Sequence, residues 1–331
     1  MWNQVAAVGV CLILGSCTRS SERVFTGTVF EMPYEVHVVG SERKAKNSDI
    51  EKALIEAFSE AEKTLWIKNA ESELSQFNKS EKLTWLPASR GLVTVIEQAL
   101  QTAKLTNGAW DPTAGKLQEL YKTSGGKEPG PNTLAAAKAK IGYFHLEVRQ
   151  EPLGLKKSRR GMIVDLMALA PAFAVDLTAD ALRKLGLSDY RVTIGRCARA
   201  AGMNAQGEEW PYTYPRAITA EGVPTALTQS TVSLSNRAAT QIALGNEVDQ
   251  GLWIDPRSGK RLQTDLTNVT VLGLTALGAE AAANGFFVLG KQAAVDLAKK
   301  QGIAAYFVAQ TDGQGIAEAT PLFPPTHRSE N

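Results

Sequence analysis

The chain reads as an α+β protein, a mixed core of strands with flanking helices, and three stretches carry that reading. Residues 24–39 alternate apolar and polar side chains (Phe30, Met32, Tyr34, Val36, Val38), as a half-buried strand does. Residues 49–65 repeat apolar side chains at helical spacing, with Ile50, Leu54, Ala57, Ala61 and Leu65 on one face and Asp49 as cap. Residues 164–176, VDLMALAPAFAVD, read as the end of a buried strand (Met162, Ile163, Val164) that turns directly into an Ala-rich helix.

The remaining elements follow in order. Pro33 marks the first strand as an edge or a bulge, and a polar loop leaves the first helix through residues 62–78. A second helix over 91–105 stops at Asn107-Gly108, where a left-handed C-cap is expected. Residues 122–131 form a flexible connection and 132–140 a short helix, after which strands run through His145, Val148 and Ile163. The helix after 164 ends at Gly186 behind Arg183 and Lys184. Strands are expected at 190–194, 232–235, 253–254, 269–274 and 304–309, with an irregular region over 203–230 and helices over 278–288 and 291–301. The turn Asp255-Pro256-Arg257-Ser258-Gly259 closes the strand at 253–254.

With 331 residues, 44% of them hydrophobic, the chain can bury a full core in one large domain or two closely joined ones. A net charge of +2 and the lack of a basic stripe with interleaved aromatics exclude nucleic acid as the partner. The N-terminus, MWNQVAAVGVCLILGSC, holds an apolar run shorter than the roughly 20 residues of a membrane span, so residues 1–17 read as a signal. An uncleaved anchor is the alternative. Leu14-Gly15-Ser16-Cys17 resembles the lipobox of bacterial lipoproteins. It implies lipidation at Cys17, a tether over 18–24, a folded domain over 25–320 and a periplasm-facing position on the bacterial envelope. The tail over 321–331 reads as disordered. Cys197 is then the sole free thiol, read as a small core residue.

Two stretches could carry chemistry. Asp165, at the carboxyl end of a strand, either handles a ligand or caps the helix behind it. In GAWDPTAG, residues 108–115, Trp110 beside Asp111-Pro112 either stacks on an aromatic ligand or anchors a helix-to-loop corner.

Together SELSQFN (72–78), GAWDPT (108–113), VDLMALAPAFAVD, WIDPRSG (253–259) and AEAAANGFFVLG (279–290) resemble, in order, the motifs of the ApbE family, the FAD:protein FMN transferases. The resemblance implies a T-fold-related core of antiparallel sheets with flanking helices. It also implies a reaction in which FAD is cut at its pyrophosphate and FMN passes to a Ser or Thr of an acceptor protein. On the positions that match, Met32, Trp110, Asp111, Pro112, Asp165, Ile254 and Asp255 would contact FAD. Glu280 and Asn284, at i and i+4 on one helix, would hold Mg2+ with the backbone carbonyl of Ala168.

The departures fall on the same motifs. Leu252 stands where the family has its histidine base, so no catalytic residue is secured, and Pro171 stands where it has lysine. Met167 and Ala168 replace two glycines, Pro33 replaces another, and Arg196 and Cys197 occupy a further Gly-Gly-acidic motif. Leu234 and Asn236 interrupt its Thr-Ser-Gly. Three functions remain open: a weakened transferase, a lipoprotein that binds flavin or nucleotide without transfer, and an interaction scaffold without ligand.

Overall fold

The computed structural model describes residues 9–12, 21–41, 43–220, 223–244, 253–311 and 314–325. Strand β1 (Gly9–Leu12) lies beside β2 (Glu22–Val29), which turns into β3 (Met32–Val39). The single strand expected over 24–39 is therefore a hairpin. Its two-residue turn, Phe30-Glu31, takes φ of 53° and 62° at both positions without the Asn or Gly that normally signals such a turn. Pro33 sits in an interior strand rather than at an edge. It is tolerated because pairing with the next strand starts only at Tyr34, and the Pro33 carbonyl accepts from Gly195 N at 3.1 Å.

Helix α1 (Asn47–Leu65) follows, then α2 (Glu73–Lys79), β4 (Leu86–Pro87), α3 (Arg90–Leu105), α4 (Gly115–Thr123) and α5 (Pro131–Lys138). Helix α2 replaces part of the expected loop: Ser72 Oγ accepts from Ser75 N at 3.2 Å and caps it. Helix α4 also lies where no element was expected. Strands β5 (Leu146–Gln150) and β6 (Leu153–Lys157) form a small sheet with β4.

Residues 162–164 are not a strand. Ile163 makes one isolated parallel bridge with Ala114, and a single turn, Met167–Leu169, leads into α6 (Ala170–Lys184). Next come β7 (Tyr190–Ile194), β8 (Cys197–Ala201), β9 (Trp210–Ala220), β10 (Val223–Leu234) and β11 (Arg237–Ala243). The region expected to be irregular is thus the β9/β10 ribbon. Strands β12 (Ile254–Asp255), β13 (Lys260–Arg261) and β14 (Leu266–Gly273), helices α7 (Ala276–Leu289) and α8 (Lys291–Gln301), and strands β15 (Ala304–Thr311) and β16 (Gln314–Ala319) complete the order.

The main sheet is antiparallel throughout, in the order β1-β2-β3-β7-β8-β11-β14-β15-β16. Helices cover one face. Ile50, Leu54, Ile96 and Val175 of α1, α3 and α6 pack with Val36, Val192 and Ile194, and Phe286 and Phe287 of α7 pack with Val269 and Phe307. The ribbon covers the other face, with Trp210, Tyr212 and Tyr214 against Ala198, Ala200 and Tyr306. Phe323, within the segment expected to be tail, is 5% exposed and stacks on Tyr214 and Tyr306. Both faces are covered over β8, β11, β14 and β15, whereas alternate residues of β2, β3 and β7 are only partly buried.

Candidate functional site

Three segments converge, the first two tied by a backbone bond and the third, α7, held by packing and a carboxylate. The first is the loop after α3, which leaves the helix through left-handed Asn107 and Gly108 (φ 50° and 74°), with Gly108 N donating to Ala103 O at 2.8 Å. Asp111 fixes the loop. Its Oδ1 accepts from Thr113 N (2.8 Å) and Thr113 Oγ1 (2.6 Å), and its Oδ2 from Tyr143 N (2.8 Å). Burial raises the Asp111 pKa despite these donors. With its oxygens held by protein groups, Asp111 shapes the loop that presents the half-buried Trp110.

The second segment is the turn at 163–169. Asp165 N donates to Pro112 O at 2.8 Å, which ties this turn to the Trp110 loop. Asn78, at the end of α2, donates from Nδ2 to Val164 O and accepts at Oδ1 from Val164 N, both at 2.8 Å. Asp165 Oδ1 accepts from Met167 N at 3.0 Å, so the half-buried carboxylate caps the short turn ahead of α6. Its cap and ligand roles are compatible, because the carboxylate offers further acceptor sites. Gly115 allows the close approach: a Cβ there would lie 2.7 Å from Ile163 Cγ2. Pro171 is buried in the first turn of α6, where its missing N–H costs nothing.

Helix α7 is the third segment, and the exposed Ala168 lies in the turn that rests against it. Asp176 of α6 accepts from Ala276 N and Leu277 N, each at 2.9 Å, and so holds the α7 N-terminus; Arg199 Nη1 donates to it at 2.8 Å. Burial raises the Asp176 pKa even so.

One turn further along, Glu280 is 0% exposed and enclosed by donors. Its Oε1 accepts from Arg196 Nη2 (2.7 Å), Arg196 Nε (3.2 Å) and Asn284 Nδ2 (3.0 Å). Its Oε2 accepts from the Cys197 thiol (3.1 Å) and the Thr240 hydroxyl. Burial, with the Glu280 carboxylate adding to it, pushes the Cys197 thiol well above its ordinary pKa, so it stays protonated and donates. Cys197 is thus part of a polar cluster rather than a plain core residue. One tyrosine of β9 completes the surroundings, Tyr212 OH donating to Arg196 O at 2.8 Å.

Met32 of β3 lies beside Gly195, the residue before Arg196, since a Cβ on Gly195 would lie 3.3 Å from its Sδ. Trp110, Asp165, Ala168, Glu280, Asn284 and Met32 therefore sit on connected segments. Ile254 and Asp255 stand apart from these contacts. Ile254 packs with Leu117 and Tyr121 of α4, and Asp255 closes its own turn by accepting from Arg257 N (2.9 Å) and Arg257 Nη2 (2.9 Å). Leu252 and Cys17 lie outside the described residues.

The magnesium set does not fit as arranged. Mg2+ needs hard oxygens free to face it, and both Glu280 oxygens already accept from protein donors. Of the Glu280 and Asn284 side-chain oxygens, only Asn284 Oδ1 is buried without a hydrogen-bond partner. Among the described residues no group of three or more His, Cys, Asp or Glu side chains could hold a metal.

Sequence reasoning did not single out Asn78, Asp176 or Thr240. Asn78 and Asp176 belong to matched motifs, which was their only signal; Thr240, in β11, carried none.

The model of the ApbE family matches residues 27–307. The FAD:protein FMN transferase of Haemophilus influenzae is 27% identical over 96% of each chain. That of Salmonella typhimurium is 30% identical over 74% of this chain and 72% of its own. Among solved structures, the flavin transferase ApbE from Vibrio cholerae superposes with a TM-score of 0.82 at 23% identity, covering 92% of this chain and 98% of that one. The apo form of Pseudomonas stutzeri flavinyl transferase ApbE also gives 0.82, at 24% identity, over 93% and 97%. With the family model matching residues 27–307 and the fold shared over 92% of the chain, this chain belongs to the ApbE family.

Proposed function

We propose that this chain is an FAD:protein FMN transferase of reduced turnover. The observation that carries the reading is the bond from Asp165 N to Pro112 O, which brings the Trp110 loop and the Ala168 turn together beside α7. Trp110 offers a flat apolar face for the isoalloxazine ring, and Asp165 keeps acceptor capacity for a polar edge of the flavin. In the reaction an acceptor Ser or Thr oxygen attacks the FMN phosphorus, the pyrophosphate P–O bond breaks, AMP leaves and the hydroxyl proton is released. Positioning supplies most of the catalysis in such transfers.

Reduced turnover follows from two residues. Leu252 has no proton acceptor, and a missing general base typically costs about 10²–10⁴-fold. Pro171, buried in α6, brings no cation to the site. Magnesium dependence rests on the resemblance alone, and the enclosure of Glu280 argues against it. These same features favour a second reading, flavin or nucleotide binding without transfer.

The deciding experiment incubates the mature protein with FAD, with and without Mg2+, and an acceptor bearing a Ser/Thr flavinylation motif. A slowly formed, covalently fluorescent acceptor supports the transferase. Binding without product supports the second reading. No change in FAD fluorescence or in Tm at millimolar FAD would reject both and leave the ligand-free scaffold.

The remaining proposal is location. A lipid on Cys17 would hold the domain on the periplasmic side of the bacterial envelope. Cys17→Ser should then move the protein from the membrane to the soluble fraction, whereas unchanged fractionation would reject the anchor.

A further inference from the structure

We infer that the Arg196 guanidinium permanently holds the cation position beside Glu280, so that this chain carries an internal cation where a divalent metal would otherwise bind. For its bearing on flavin, the inference rests on the function proposed above.

The first reason is charge. Glu280 is fully enclosed at 0% exposure, and a buried carboxylate persists only if it is paired and its lone pairs are satisfied. Arg196, 16% exposed, supplies the opposite charge through Nη2 at 2.7 Å and Nε at 3.2 Å. A guanidinium stays charged at any pH the fold tolerates, so its own charge never has to be supplied from outside.

The second reason is occupancy. Thr240 and Cys197 donate to the other carboxylate oxygen, and Asn284 Nδ2 adds a donor to the first. A metal ion could reach Glu280 only by displacing donors that already occupy its oxygens, of which Arg196 is the charged one. Asn284 Oδ1, buried and without a hydrogen-bond partner, is the oxygen that would remain to serve an ion once the guanidinium left.

Arg196 is also held in place. Gly195 N donates to Pro33 O at 3.1 Å on one side, and Tyr212 OH donates to Arg196 O at 2.8 Å on the other. Gly195 takes the left-handed conformation, φ 55°, that turns β7 into β8 and directs residue 196 to α7. The backbone is thus pinned from β3 and from the ribbon at once. Guanidinium groups also suit phosphate, presenting several N–H donors in a planar fork. A diphosphate bound beside Glu280 would meet a cation that belongs to the protein.

Two measurements test this. In the first, Mn2+ is titrated and the free ion followed by electron paramagnetic resonance. The wild type should leave the signal unchanged, Arg196→Ala should take up about one equivalent, and the added Glu280→Gln should abolish that uptake. Glu280-dependent uptake by the wild type would overturn the inference, as would a folded Arg196→Ala that takes up none. In the second, FAD affinity is measured by fluorescence in EDTA and in Mg2+. The wild-type values should agree within about twofold, and a tightening of about tenfold or more by Mg2+ would overturn the inference.

If circular dichroism shows Arg196→Ala to be unfolded, the two wild-type arms decide. If FAD binds under neither condition, the flavin reading fails and the Mn2+ arms alone judge the internal cation.

Discussion

Asn78 grips the N–H and the C=O of one residue, Val164, from a helix 86 positions earlier. It thereby sets the height of the Asp165 turn. Replacing Asn78 with Ala would leave two backbone groups of a buried residue unpaired, a loss of about 2 kcal/mol. Urea unfolding would read it as a lower midpoint at unchanged m-value. Asn78→Asp should not rescue it, because a carboxylate faces Val164 O with no donor. At this scale the sequence was half legible. Motif order located Asp165, Glu280 and Asn284, but no local pattern ties Asn78 to Val164, or Arg196 and Thr240 to Glu280, since those pairs lie across the fold.

Helices with capping signals and one apolar face were legible as elements. Helix α8 and the C-cap of α3 follow their signals closely. The misses share a cause, in that the missing cue was local. The β2/β3 turn uses Phe30-Glu31, α4 starts from Ala114 with no side-chain cap, and the β9/β10 ribbon hides its alternation behind Pro211 and Pro215. The joints between elements are carboxylates. Asp176→Ala would strip the α7 N-terminus of two acceptors and leave Arg199 without its 2.8 Å partner, so a loss of about 3 kcal/mol is expected from thermal or urea unfolding.

Glu318 of β16 similarly joins α8, accepting from Lys291 (2.9 Å) and Lys299 (2.8 Å). The Lys299 and Lys291 hydrogen bonds lower its pKa. A carboxylate with a depressed folded-state pKa binds fewer protons folded than unfolded. Its contribution is therefore present above the unfolded value, about 4.5, and lost as pH falls through the folded one. Stability of the wild type should drop more steeply below about pH 5 than that of Glu318→Gln, with the two curves converging at lower pH. Parallel curves would show that the bridge contributes nothing.

Across the whole molecule, an antiparallel sheet covered by helices on one face and by the aromatic ribbon on the other holds the site segments in fixed relation. The α+β class was legible because strand and helix periods differ plainly along the chain. The sheet order was not, since β3 pairs with β7 across about 150 intervening residues and nothing local encodes that choice. The fold is that of the ApbE family, and inside it Arg196 pairs with the buried Glu280 while Pro171 lies in the first turn of α6.

The proposed flavin site lies where the Trp110 loop, the Asp165 turn and α7 meet. Fluorescence titration of FAD against the wild type and Trp110→Ala tests it most directly. Binding by the wild type, weakened by about tenfold or more in the variant, is the expected result. Equal affinity of the two proteins, or no binding by the wild type at millimolar FAD, would contradict it.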